Sequence, residues 1–281
     1  MDSSHLTIRT LHTASEMDEA VALQRVYWGD NMADLVPAHM LLSMARYGGH
    51  IHAAFDNDTM VGLLMGFLGA DITPNDTTNA PNNLYVMSKR MVVLPEYRGQ
   101  KIGEHLKQAQ RQFAQQHNIQ LVLWTFDPLL SRNAYLNLHK LGAIGQKYEE
   151  NYFGADASNP VLSADRLQVN WWVNHPSLNE RLQVDASQIP VINAVSLSPE
   201  GLLVPNKLAI ADADRLRLEI PMEFVPLERI NPALGQQWRD TVREAFQQLF
   251  ARGYLATDFA RIENRVFYIF TRDDGSYTFQ S

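Results

Sequence analysis

The chain has 281 residues, enough for one large domain or two ordinary ones, and 46% of them are hydrophobic, which suffices for a sizeable core. With 24 basic residues against 31 acidic ones, the net charge of -7 argues against broad electrostatic capture of nucleic acid or of an anionic membrane. Cysteine is absent, which removes disulfides, thiolate metal ligands and a cysteine nucleophile.

The first twenty residues lack the basic and apolar regions of a secretory signal, and no apolar run reaches the length of a membrane span, so a cytoplasmic protein is expected. Residues 6 to 11 alternate as a short strand. In "SEMDEAVALQRVYW" Ser15 is placed to cap a helix, with Asp18 three residues on as in a capping box. A second helix is expected over about 37 to 46. "GGHIHAAFDNDTMVGLLMGFLGA" reads as a hairpin turning at Asp56-Asn57-Asp58. A polar loop at 71 to 83 delivers the chain into a strand at 84 to 94. Ile102, Leu106, Ala109 and Phe113 fall at helical spacing before Asn118, and "IQLVLWTF", apolar on both faces, reads as a central strand. Ser131 heads a further helix that ends at Gly142, and strands follow at about 143 to 153 and 166 to 174. Beyond His175 a connector rich in proline and glycine leads to a second ordered unit: the strand "DRLRLEIP", a long amphipathic helix carrying Leu234, Trp238, Val242, Ala245 and Leu249, and two final strands. The fold class is α/β, with an N-terminal domain over 1–174 and a C-terminal α/β extension over 175–281.

The segment "MVVLPEYRGQKIGEHL" joins a strand to a helix, and such a junction aims unpaired backbone N–H groups at one point where the helix dipole also favours negative charge. Gly99 and Gly103 permit close approach to the backbone and Arg98 adds a charge-assisted contact, which suits a pyrophosphate. The P-loop pattern is absent and the first two glycines of G-x-G-x-x-G are missing, so kinase, ATPase and dinucleotide readings lose support. His50 and His52 share a strand face without a third ligand or an H-E-x-x-H, and no metal site is expected.

"VVLPEYRGQKIG" resembles the pyrophosphate-binding motif of the GNAT superfamily of acyl-CoA-dependent N-acyltransferases, [QR]-x-x-G-x-[GA]: Arg98 and Gly103 match its ends, and Lys101 stands where the middle glycine is usual. With a side chain there, the backbone is expected to keep a negative φ and to enter the helix directly. "NAYLNLHKLGA" resembles the family helix N-A-x-x-L-Y-E-K-L-G-F at Asn133, Ala134, Lys140, Leu141 and Gly142. The likeness covers about residues 6 to 174. The segment 124–143 together with "WRDTVREAFQQLFARGY" is also similar to a bacterial branch with a long C-terminal extension, a match that adds no substrate.

The resemblance implies a twisted mixed sheet flanked by helices and split between the strands at 84–94 and 119–126, where acetyl-CoA or another short acyl-CoA enters. It implies that backbone N–H groups around Met91, Val92 and Val93 hold the thioester oxygen, that Arg98, Gly99, Gln100, Lys101, Ile102 and Gly103 hold the pyrophosphate, and that Asn133 touches the CoA arm. The acceptor, a small-molecule amine, would arrive past residues 27 to 39, with Tyr27, Trp28 and His39 as contacts, and past the 71–83 loop. The acid commonly supplied by a tyrosine in the second motif falls here on Leu138, so Tyr135 and His139 are the nearby substitutes and Asp127 the candidate base. Leu138 and the missing strand carboxylate leave open a non-catalytic acyl-CoA-binding or regulatory module. The C-terminal hundred residues suggest a partner-binding or self-association role, as in a homodimer.

Overall fold

The structure is a computed structural model that describes residues 6–31, 34–70, 84–154, 165–174 and 185–275. Two compact units divide the chain, one of residues 1–124 with 172–174, the other of 125–171 with 175–280. Residues 125–171, which belong to the stretch resembling the acyltransferase family, therefore group with the C-terminal part of the chain.

In the first unit the order is β1 (Leu6–Thr10), α1 (Ala14–Trp28), α2 (Ala38–Arg46), β2 (Gly49–Asp56), β3 (Thr59–Ala70), β4 (Leu84–Val93), α3 (Ile102–Gln116) and β5 (Leu121–Phe126), whose last two residues fall past the division. The strands lie in the order β1-β2-β3-β4-β5, the first four antiparallel and β5 parallel to β4. One face is covered by α1 and α2, with Met17, Ala20, Leu23 and Leu41 packed on Ile51, Leu63 and Val92. On the other, Ile102 and Leu106 of α3 pack on Ala54, Val61 and Leu64. The expected hairpin turns at Asn57 in the left-handed conformation (φ 53). The cap of α1 differs from the expectation at Ser15: the structure caps the helix with Thr13, whose hydroxyl accepts from Glu16 N, while Glu16 Oε2 accepts from Thr13 N at 2.9 Å. Both T-x-x-E and S-x-x-D fit the pattern, but the longer glutamate reaches back to the capping residue's N–H, and Ser15 sits inside the first turn.

Two irregularities of this sheet matter for the site. In β4 the register with β3 shifts between Met65/Arg90 and Gly66/Ser88, so Lys89 is an inserted, bulged residue. Furthermore β4 and β5 are in register only at Val86/Val122 and Met87/Leu123. Beyond Met87, β4 parts from β5.

The second unit contains α4 (Ser131–Ala134), a π-helix (Tyr135–Lys140), β6 (Ile144–Glu149), β7 (Arg166–Trp172), β8 (Asn193–Leu197), β9 (Leu203–Leu208), β10 (Arg215–Ile220), α5 (Phe224–Ile230), α6 (Pro232–Ala251), β11 (Tyr254–Ile262) and β12 (Arg265–Arg272). Its strands run in the order β7-β6-β11-β12-β10, with β8 and β9 as a separate hairpin. Asn231 caps α6 by accepting from Leu234 N at 3.0 Å, and Pro232 occupies the first turn, where a missing N–H costs nothing. The inner stripe of α6, Trp238, Val242, Ala245, Phe246 and Leu249, is fully buried, and Phe246 meets Tyr268 and Phe270 edge-to-face at 5.0 Å each. Each large apolar side chain so buried contributes about 1.5–3 kcal/mol. Among the described residues, no helix is long and apolar enough to cross a membrane.

Candidate active site

The approach to α3 is fixed before it turns. Pro95–Tyr97 form a single helical turn, and the Tyr97 hydroxyl donates to Asp56 Oδ2 at 2.9 Å, tying the turn to the end of β2. Arg98 is extended (φ -67, ψ 150), Gly99 is left-handed (φ 85) and Lys101, the residue before α3, is left-handed as well (φ 60, ψ 13). This corrects the expectation of a negative φ at Lys101. Its carbonyl already receives the His105 N–H at 3.0 Å, and the chain turns left at Lys101 itself as it enters the helix. The demand that a glycine would meet freely is therefore met by a lysine, at a cost of about 1–2 kcal/mol. No side chain caps α3, so the N–H groups of its first turn carry no side-chain partner. A Cβ at Gly99 would meet nothing within 4 Å, so the side of the loop it faces is open. Arg98, Gly99, Gln100 and Lys101 are exposed, whereas Ile102 is buried as the anchor of the helix on the sheet. Left-handed residues beside uncapped amides at the start of a 15-residue helix fit an anion such as a pyrophosphate.

Met91, Val92 and Val93 lie past the bulge, on the stretch of β4 that has left β5, paired to Leu64, Leu63 and Gly62 of β3. Val92 packs under α1 and α2, while Met91 and Val93 face α3. Tyr27 and His39 are exposed and Trp28 half-buried. Tyr27 meets Trp28 edge-on at 4.7 Å, the Arg90 guanidinium lies 4.4 Å over Trp28, and the Arg98 guanidinium lies 5.6 Å over Tyr27. Arg90 also donates to Asp34 O, and Gln24 holds Val36 through both its N–H and its C=O. The end of α1, the 34–36 segment and the Arg98 loop are thereby joined. The 71–83 loop and residues 32–33 of the expected acceptor side lie outside the described residues.

Sequence reasoning missed a buried polar chain beneath α3. Lys107, 3% exposed, donates to Ser88 Oγ at 2.8 Å and lies 3.5 Å over the Trp124 ring. It also bonds Gln110, whose amide meets His50 Nε2 at 2.8 Å; His50 stands beside His52, and His52 Nδ1 meets Thr10 Oγ1 at 3.1 Å. Burial pushes the Lys107 amine well below the usual lysine range. Burial, then His52, Lys107 and His117, lowers His50 to about 2, and burial lowers His52 to about 4. Both rings are neutral in the fold, and His50 Nδ1 and His52 Nε2 have no hydrogen-bond partner. The chain supports the β4 bulge from behind through Ser88. A lysine at a polar-looking helical position gives no sequence signal of burial. Among the described residues, no group of three or more His, Asp or Glu stands close enough to hold a metal.

The second motif is in the other unit. Asp127 Oδ1 accepts from Leu129 N at 2.9 Å, and its Oδ2 pairs with Arg239 at 3.3 Å, so both oxygens serve the turn that begins α4. The same turn is held by Tyr268, which donates to Pro128 O at 2.6 Å, and by Ser131, which donates to Met222 O at 2.6 Å. Asn133 is half-buried, and its N–H donates to Leu130 O. The expected regular helix from Ser131 is α-helical for one turn only; past Ala134 it widens, Leu141 N donating to Leu136 O, five residues back, at 2.9 Å. Leu138 is buried. Tyr135 and His139 are exposed and stacked at 4.7 Å with 24° between planes, and His139 Nδ1 lies 3.0 Å from Asp258 Oδ1.

With this geometry, the sequence of residues 15–143 matches the family described as Acetyltransferase (GNAT). No curated protein matches the chain. Solved structures similar to it include a GNAT acetyltransferase from Elizabethkingia anophelis with acetyl-CoA bound (16% identity, 60% of this chain and 99% of that one, TM-score 0.44). Others are the ribosomal-protein-S18-alanine N-acetyltransferase of Escherichia coli (13%, 64% and 99%, TM-score 0.46) and an aminoglycoside acetyltransferase from an uncultured soil sample, in complex with sisomicin (15%, 44% and 79%, TM-score 0.37). Over residues 15–143 the chain thus carries an acetyltransferase domain of the GNAT family, whose members are acyl-CoA-dependent N-acyltransferases.

Proposed function

We propose that the protein transfers an acetyl or other short acyl group from acyl-CoA to the amine of a small molecule by direct attack. The observation that carries this reading is the entry to α3, where two left-handed residues and an uncapped first turn stand beside Arg98. In this reading the loop 98–103 holds the CoA pyrophosphate, and the backbone of Met91–Val93 stabilises the thioester oxygen as charge develops on it. Bound acyl-CoA supplies the activated carbonyl. Tyr27, Trp28 and His39 form the acceptor side, with Tyr27 and His39 exposed and Trp28 half-buried under the Arg90 guanidinium.

Asp127, the expected base, is already engaged: its Oδ1 accepts from Leu129 N and its Oδ2 from Arg239 of α6. The buried Leu138 favours a second reading, an acyl-CoA-binding module without turnover. Calorimetric titration of the purified protein with acetyl-CoA, followed by thiol release across an amine panel, separates the two: binding with release is expected. Binding without release supports the module, and failure to bind sinks both.

A further inference from the structure

We infer that Lys107 is a positioning residue for acyl transfer: by holding Ser88 it fixes where β4 bulges, and so which backbone amides beyond the bulge face the acyl donor. The inference rests on the proposed function and adds a residue to it. Every group involved belongs to the first unit. Lys107 lies in the second turn of α3 and donates to Ser88 Oγ at 2.8 Å, with its Nζ 3.5 Å from the centre of the Trp124 ring. Those two contacts straddle the fork of the sheet. Met87 and Leu123 are the last pair in register between β4 and β5, and Ser88 and Trp124 are the residues that follow them.

The bulge at Lys89 is clamped from both faces. In a regular strand Ser88 and Arg90 would point the same way, since side chains alternate with a period of two. Here Ser88 points to α3, where Lys107 holds it, and Arg90 to the other face, where its guanidinium lies over Trp28 and donates to Asp34 O. Beyond Arg90 the alternation continues, with Met91 towards α3 and Val92 towards α1 and α2. One inserted residue therefore decides the facing of all that follow. With that residue accommodated past Val93 instead, residues 90–93 would slip by one, and the amides that now point away from β3 would turn towards it. Gly66, opposite Ser88, leaves room for the clamp: a Cβ there would come within 2.9 Å of Gln110, which accepts from Lys107 at 3.3 Å. Among the described residues, the polar contacts of the Lys107 amine are Ser88 and Gln110, without a carboxylate. Burying an amine in this way costs stability that an apolar side chain of the same length would not, so what the amine contributes is direction.

The full-length protein is the test material, and native turnover across the amine panel is measured first. Ser88→Ala removes one oxygen, and Lys107→Met keeps the length and removes the amine. Each should lower kcat about tenfold or more while the acetyl-CoA dissociation constant and the acceptor KM stay within about threefold. The double variant should lose no more than the worse single one, since the two groups act as a unit. A role in packing alone would lower the Tm and leave the kcat of the folded protein unchanged. Amide nitrogen-15 shifts of residues 90–93 should move in the same directions in both variants while those of the loop 98–101 stay, a readout that needs no turnover. Should Lys107→Met fold poorly, Ser88→Ala carries both readouts. An active native protein with kcat unchanged in folded Ser88→Ala, or with the shifts of 90–93 unmoved, overturns the inference alone, as does a loss that falls on acetyl-CoA binding rather than on kcat. A native protein that binds acetyl-CoA yet acylates no amine overturns the acyl-transfer reading and the role of Lys107 with it.

Discussion

Single residues here do work that their identity conceals. Lys101 holds a backbone conformation suited to glycine, and Lys101→Gly separates its backbone from its charge. The substitution should raise stability by about 1 kcal/mol, seen as a Tm gain of about 2–4 °C, while weakening CoA binding a few-fold through loss of the ammonium. An unchanged Tm would show that the turn carries no strain. In the proposed reading, where the loop 98–103 holds the pyrophosphate, a bulky residue at Gly103 should abolish CoA binding in a calorimetric titration. His50 and His52 set a pH dependence. Their unfolded value is 6.5 and their folded values are about 2 and 4, so the unfolded chain binds protons first as pH falls. Stability is therefore complete above pH 6.5 and is lost on acidification, by up to about 1.4 kcal/mol per pH unit for each ring. Urea midpoints between pH 6.5 and about 5, above the carboxylate range, should show this slope, and His50→Gln/His52→Gln should flatten it. Arg98 and Gly103 prompt the reading of an anion loop because charge and glycine announce themselves. The conformation of Lys101 was not legible, because an isolated residue gives no sign of the turn its neighbours impose.

Elements were legible wherever periodicity alone decides. The hairpin of β2 and β3, α3 and α6 all follow their apolar patterns, and Gly253 ends α6 in the left-handed conformation (φ 78). What periodicity hides is spacing between elements. β3 reads as an apolar strand with three glycines, yet two of them set how close α3 lies. A Cβ on Gly62 would come within 3.1 Å of Ile102, and one on Gly66 within 2.7 Å of His50 and 2.9 Å of Gln110. Gly66→Ala must therefore push His50 or Gln110 aside, breaking their bond. A loss of about 1–3 kcal/mol in urea denaturation is expected, with the acid sensitivity of the histidine pair altered as well. A neutral Gly66→Ala would mean that α3 can lift from the strand without cost. The π-helix was hidden for another reason: one extra residue in a turn leaves a helical pattern that looks regular over so short a segment.

For the whole molecule, the sequence divides by composition at about residue 174, whereas compactness groups 125–171 with 175–280. Long-range pairs explain why: Asp127 with Arg239, Asp165 with Arg243, and Pro128 O with the Tyr268 hydroxyl each join the two stretches inside that unit. None is visible in sequence, since each partner is an ordinary polar residue. A fragment ending at residue 174 should accordingly aggregate or show no cooperative thermal transition, whereas a soluble fragment with the native Tm would show the C-terminal part to be dispensable for folding. The parting of β4 from β5 has a consequence of its own. With only two residue pairs in register, the amides of Ser88 to Val93 that point away from β3 have no strand among the described residues to shield them. Their deuterium uptake should be fast in the free protein and slow once a pantetheine chain lies alongside, so that isotope exchange at those few backbone positions would time the arrival and departure of the acyl donor without any chemistry taking place.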